Sequence, residues 1–272
     1  MKKFFFAIAF LATSVCSYAQ WYWQEKPLNK KDFLKLAAAK YTIAFEYELA
    51  DGEKTLTRVL EFGANSLPSA LYQKGTDDNG DSINTEEVIY KFDGNGRLTK
   101  QITAGKTEGT EWSAIYTYAK GDNPTKETVL DIDPATTVYT YDVKGRLTKS
   151  YTTVRMAALD KEGNPTSKRI DKPQERSVYV YDNKGRLKEK RTYNLTNSEQ
   201  GNQPSFQMRL SYNEKNQITK LERLNEEGNV YNTETYEYNS NGLLTKATTV
   251  SDDEPAKTFV YEYCTTCKQS WK

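Results

Sequence analysis

The string YTYDVKGRLTK, Tyr139 to Lys149, returns with small changes as YKFDGNGRLTK from Tyr90, YVYDNKGRLKE from Tyr179 and YEYNSNGLLTK from Tyr236. A chain that repeats this string has few folds open to it. Two short runs rich in aromatic and β-branched residues flank an Asp-x-x-Gly, the punctuation of a β-hairpin. Asp suits the first position of a type I turn, and Gly suits its last, where φ is positive. A type I turn closed by a left-handed residue is the three-residue hairpin loop with a G1 bulge. This loop predicts Asp93 opposite Arg97, Phe92 opposite Leu98 and Tyr90 opposite Lys100. A two-residue loop would instead carry Leu98 to the other face. Side chains alternate with period two, so only the bulged register gathers Tyr90, Phe92 and Leu98 together.

The same arithmetic applies to the other copies. Tyr139, Tyr141, Leu147 and Tyr151 are expected on one face, with Thr140, Asp142, Arg146 and Thr148 behind them. Tyr179, Tyr181 and Leu187 repeat the pattern, as do Tyr236, Tyr238 and Leu244. LSYNEKNQITK, from Leu210, is a weaker copy in which Asn216, the next best left-handed residue, stands for Gly. YTYAKGDNPTK, from Tyr116, is looser, and YEYCTTC, from Tyr261, supplies only a first strand. The polar stretches Gly163–Gln174 and Asn197–Pro204 read as loops between copies. Upstream, Tyr41–Phe62 reads as a further hairpin turning at Asp51-Gly52, and Lys30–Lys40 as a short Ala-rich helix capping one end of the sheet. One hairpin is amphipathic and unstable alone, so successive hairpins should pair edge to edge. The expected fold class is all-β: an antiparallel meander of hairpins over residues 41–272. It should twist into a curled open sheet, or a partial barrel or shell.

These residues (Tyr139, Tyr141, Asp142, Gly145, Arg146, Leu147 and their equivalents) resemble the YD-repeat, or Rhs-type repeat, family across most of residues 85–263. The resemblance implies a sheet of β-hairpin repeats. Large members wind that sheet into a hollow shell around a toxin, or form extended cell-surface proteins. This chain is far shorter and shows no effector region after Lys272, so small exported bacterial proteins with a few such repeats are the nearer comparison.

Composition decides whether the repeats fold and where. The chain is hydrophilic, with mean hydropathy −0.81 and 28% charged residues. Its net charge is only +1 and it carries 20 tyrosines, whereas disordered chains are aromatic-poor and strongly charged. Lys2 and Lys3, the apolar run Phe4–Val15 and the small-x-small Ser17–Ala19 have the form of a signal peptide over residues 1–19. Residues 20–40 then form an N-terminal segment before the repeats. Lipoprotein processing at Cys16 is an alternative, although Val15 stands where it favours Gly, Ala or Ser. Losing residues 1–19 removes two lysines and no acid, which takes the formal charge to −1. That balance provides no footprint for nucleic acid, and no transmembrane segment is expected after cleavage.

Little catalytic equipment is present. Histidine is absent, which removes His-based triads, His general bases and most catalytic zinc sites. No Gly-rich phosphate loop has a standard spacing. Asp77, Asn79 and Asp81 alternate like the first ligands of a calcium loop, but Ser82 stands where that loop needs Gly and Val88 where it needs Glu. No metal or cofactor is expected. Cys264 and Cys267 are a disulfide, a redox dithiol or half a metal site. Export favours the disulfide, since these are the mature chain's two cysteines. The tyrosine rows, represented by Tyr139, Tyr141, Tyr179, Tyr181, Tyr236 and Tyr238, are either an aromatic ladder that binds a glycan or an envelope protein, or the buried face of the sheet. The function expected is therefore an exported, non-enzymatic binding or structural protein, periplasmic, outer-membrane-associated or secreted. The alternatives are an exported hydrolase using two carboxylates and a small relative of toxin-sheathing shells.

Overall fold

The computed structural model describes residues 41–63, 67–76, 82–105, 112–131, 133–196, 202–265 and 267. The expected signal peptide, the expected helix at Lys30–Lys40 and the acidic stretch Asp77–Asp81 lie outside them. Among the described residues, sixteen strands follow one another. The first five are β1 (Ile43–Ala50), β2 (Glu53–Phe62), β3 (Pro68–Thr76), β4 (Ser82–Phe92) and β5 (Leu98–Gly105). The next six are β6 (Trp112–Tyr118), β7 (Pro124–Leu130), β8 (Ala135–Tyr141), β9 (Leu147–Leu159), β10 (Pro165–Tyr181) and β11 (Leu187–Asn194). The last five are β12 (Phe206–Tyr212), β13 (Ile218–Leu224), β14 (Val230–Tyr238), β15 (Leu244–Ser251) and β16 (Glu254–Cys264).

Each strand is hydrogen-bonded to the next, and β16 returns to β1, so the meander closes into a barrel. The open or partial sheet expected from the repeats is thereby corrected. The seam runs antiparallel from Ile43 opposite Cys264 to Leu49 opposite Thr258. Closure satisfies two rows of backbone groups that an open sheet would leave unpaired, and it removes the edges that invite aggregation. Two compact units make up the chain. One holds β1–β5 with residues 212–220 and those from 232 onward, and the other holds residues 112–211 and 221–231.

The turns follow the sequence reading. The Asp142 amide bonds the Arg146 carbonyl, Gly145 has φ +73°, and Tyr141 lies opposite Leu147. Asn216 takes φ +62° in the place of Gly, and Asp51 and Gly52 form the two-residue turn between β1 and β2. Beyond the turn, however, the register departs from the expected one. Thr140 pairs with Lys149, and Tyr139 with Ser150, leaving Thr148 as an extra residue. Tyr90 likewise faces Gln101 and not Lys100. The cause is a second bulge, stabilised by the threonine itself. Thr148 donates its hydroxyl to the Thr140 carbonyl at 3.1 Å, and Thr99, Thr125 and Thr245 do the same across their own hairpins at 3.1–3.2 Å. In the copy from Tyr179, Lys188 fills the bulge position without such a hydroxyl. The extra residue reverses the faces of the returning strand, so Ser150, Thr152 and Val154 are buried while Tyr151 turns outward, 40% exposed.

Gly163–Gln174, read as a loop, is instead a turn at Asp160–Gly163 and the first half of β10. Nearly all of Pro165–Pro173 is exposed. A strand tail with water on both faces has no apolar alternation to betray it.

The inward face carries the core. In the second unit it holds Ala114, Leu147, Val154, Tyr179, Leu187 and Met208. In the first, Ala44, Leu60, Leu71 and Val88 are buried on that face. Ile43, Val59, Ala70 and Tyr72 form a cluster with Phe45 and Leu56 on the opposite face. The disulfide Cys264–Cys267, with Cα atoms 5.7 Å apart, ends β16 beside the seam.

Candidate functional site

The six tyrosines singled out from the repeats all point to the inward face. Tyr179 and Tyr236 are buried, and Tyr139, Tyr141, Tyr181 and Tyr238 are half-buried. The two tyrosines of each Tyr-x-Tyr have different partners. The second donates its hydroxyl to the first residue of the returning strand in the preceding hairpin. Tyr141 bonds the Pro124 carbonyl at 2.7 Å, Tyr181 that of Leu147 at 2.8 Å, and Tyr238 that of Ile218 at 2.8 Å. Tyr263 does the same with Leu244 at 3.0 Å. At these four positions a phenol fastens the strand to the hairpin before it, which explains why the sequence writes tyrosine there. Burial raises the Tyr181 phenol to about 12, and Tyr141 and Tyr238 shift in the same direction for the same leading reason.

The first tyrosine of each pair belongs to a polar network that the sequence reading did not find. One inward row in the second unit runs Tyr116, Glu127, Thr137, Thr152, Glu175 and Asn194 across β6–β11. The next runs Tyr139, Ser150, Ser177 and Thr192 across β8–β11. Tyr139 donates to the Glu127 carboxylate. Thr137 and Thr152 share a bond of 2.9 Å, Ser177 and Thr192 one of 3.0 Å, and Ser177 donates to Glu175 at 3.1 Å. Ser150 and Tyr179 lie 3.4 Å apart. Burial pushes the Glu127 carboxyl up, against the bonds from Tyr139 and Tyr116. The bulge at Thr148 placed these residues out of reach of a period-two count. Counting three instead of two from Leu147 lands on Ser150.

Chemically, this is a satisfied wall. Glu127 and Glu175 stand three strands apart, about 14 Å of backbone spacing, whereas glycosidase carboxylates sit roughly 5–10 Å apart. In the first unit, Glu234 accepts from Tyr236 at 2.6 Å, and Glu46 accepts from Thr57 at 2.8 Å with Arg58 3.6 Å away. Each of these acids is held by neighbours on its own sheet. No group of three Cys, Asp or Glu residues among the described residues is arranged to hold a metal ion.

The outward face of the second unit is different in kind. Its mid-wall row is Val138, Tyr151, Arg176 and Tyr193, with the Arg176 guanidinium 4.3 Å from the centre of the Tyr193 ring. Thr140, Lys149, Val178 and Arg191 form the adjoining row. On the other side, a hollow of about 420 Å³ is lined by Lys126, Thr128, Pro134, Thr136, Thr153, Arg155 and Asp171.

No family model matches this sequence, and no curated protein is similar to it. Solved structures are similar to it in shape. A porin-like protein from Bacteroides uniformis aligns over 82% of this chain and 97% of its own, at 11% identity and a TM-score of 0.52, which shows a shared fold. A porin-like protein from Bacteroides vulgatus aligns over 82% and 98% at 13% identity, but with a TM-score of 0.36. The Photorhabdus luminescens Tc holotoxin pore aligns over 80% of this chain and 14% of its own at 11% identity, with a TM-score of 0.31. These last two scores are too low to carry a fold argument.

Proposed function

We propose that this chain is an exported, non-enzymatic β-barrel of the bacterial cell envelope, that its outer wall meets water, and that its work is binding or scaffolding. The observation that carries the reading is the charge on the outer wall. Arg176 projects outward from the mid-wall row and Lys149 and Arg191 from the row beside it, flanked by Lys126, Arg155 and Glu189. A lysine or arginine on a lipid-facing wall costs about 2–4 kcal/mol at the bilayer midplane. Strand length argues the same way. β6, β7, β8, β12 and β13 have seven residues each, about 23 Å of strand and roughly 16 Å when tilted by 45°. The apolar band of a membrane barrel is about 25 Å tall. The fold shared with a porin-like protein is therefore read as kinship of architecture, with a soluble wall.

Export rests on the basic, apolar and small-residue pattern of residues 1–19. Intact mass measurement of the protein from its native envelope should place the mature N-terminus at Gln20. A diacylglyceryl group on Cys16 would establish lipid anchoring instead. The wall is tested separately. Residues 20–272 should be monodisperse without detergent and stay at the bottom of a flotation gradient with phosphatidylethanolamine–phosphatidylglycerol vesicles. They should also give no conductance in planar bilayers. A requirement for detergent, or stepwise conductance, would overturn the water-facing reading.

A further inference from the structure

The hollow on the outward face of β7–β10 lies apart from the inward network and is not needed to build the wall. Its floor is a cross-strand row of hydroxyls, with Thr128 opposite Thr136 and Thr136 opposite Thr153. Two cations border it, Lys126 two residues before Thr128 and Arg155 two residues after Thr153, both exposed. Asp171 is its one lining carboxylate, opposite Arg155 on β10. Beside it stands Tyr151, two residues before Thr153 on the same face and 40% exposed.

We propose that this hollow binds an acidic polysaccharide, a chain of hydroxyl-rich sugar rings bearing carboxylates. The proposal rests on the water-facing reading of the wall and deepens it by naming a ligand class. Four features converge on that class. The volume falls within the roughly 300–1,000 Å³ typical of small-ligand sites, yet the hollow lies on an open sheet face, which suits a segment of an extended polymer. Threonine hydroxyls donate and accept, matching sugar hydroxyls; Thr153, which gives its proton to the Thr136 carbonyl at 3.4 Å, keeps its acceptor side. Lys126 and Arg155 outnumber Asp171, which selects carboxylates over neutral sugars. Tyr151 provides the flat, amphipathic ring on which a sugar face can rest. A free phosphate fits less well, because the strand amides here are committed to the ladder and form no anion-binding nest.

Affinity electrophoresis of folded residues 20–272 through native gels containing polygalacturonate tests the assignment. Retardation is expected. It should be at least ten-fold weaker in the fully methyl-esterified polymer, which has the same rings without the charge. The Lys126→Gln/Arg155→Gln variant should lose at least ten-fold in apparent affinity. Tyr151→Ala and Thr136→Val/Thr153→Val should each lose several-fold, with melting unchanged in the exposed-residue variants. Absence of retardation would reject the site, as would retardation that these substitutions leave intact. Equal retardation by a short duplex DNA would also reject it, since polyanion attraction would then suffice. Failure of the gel experiment with the vesicle and conductance results intact removes the ligand alone. Failure of the vesicle and conductance tests removes the underlying reading.

Discussion

Asp142 organises a whole turn with one side chain. Its Oδ1 accepts the amides of Lys144 and Arg146, both at 2.9 Å, and its Oδ2 takes the Arg146 guanidinium at 2.7 Å. Asp93 and Asp182 repeat the arrangement, and Asp160 does so with Asn164 in the arginine place. These bonds favour the charged carboxylate. The backbone amide of Arg146 leads in holding the Asp142 carboxyl below its usual value, and the Arg97 amide does so for Asp93. A carboxyl depressed in the folded state stabilises fully above its unfolded pKa of about 3.9, and the contribution is lost as pH falls through the lower folded value. Acid should therefore weaken the barrel below about pH 4. Asp142→Asn keeps the acceptor oxygen, as Asn213, Asn225 and Asn239 do in their own turns, but loses the charge. Its urea midpoint should fall below the wild-type value at pH 7, and the gap should close as pH falls through the depressed folded value. A difference that stays unchanged over that fall would mean that the charge has no part in the turn.

At the scale of the hairpin, three contacts recur: the left-handed turn residue, the threonine bulge, and the tyrosine bond to the hairpin before. Gly145→Val should cost about 1–3 kcal/mol, because its φ is +73° and a Cβ would stand 3.3 Å from Asn123 Nδ2. Thr148→Val keeps the shape and loses the bond to Thr140, which should cost about 0.5–1 kcal/mol. Tyr181→Phe keeps the ring under Arg146, 4.8 Å away, and loses the bond to Leu147, at about 1–2 kcal/mol. Urea denaturation of the three variants ranks them, and a neutral Tyr181→Phe would show that the phenol only fills space. The turn and the alternation were legible in Tyr-x-Tyr-Asp-x-x-Gly-Arg-Leu, since each follows from a local dihedral preference. The second bulge was not legible, because threonine is an ordinary strand residue and nothing in its neighbours marks it as supernumerary. That one residue moved Tyr151 from the core to the surface and hid Ser150 and Thr152 from notice. The candidate surface site was lost with them, as it needs outward positions counted from the bulge.

At the scale of the molecule, the seam between β1 and β16 joins residues more than two hundred positions apart, and no local signal in the repeats announces it. Phe45 faces Glu262 across this seam, where antiparallel Cα atoms lie about 4.5–5.5 Å apart, within disulfide reach. Phe45→Cys/Glu262→Cys should oxidise in air to a cross-linked form of altered mobility in non-reducing gels. Free thiols in the folded variant would mean that the ring is open in solution. Closure also imposes parity. In an antiparallel ring, every strand must run against both neighbours, which only an even number of strands allows, and the described residues form sixteen. Duplicating or deleting a single strand would set two neighbours parallel, while a whole hairpin can enter or leave with every neighbour still opposed. A lineage built this way changes its girth two strands at a time, and the hairpin is the smallest unit in which its genes can safely stutter.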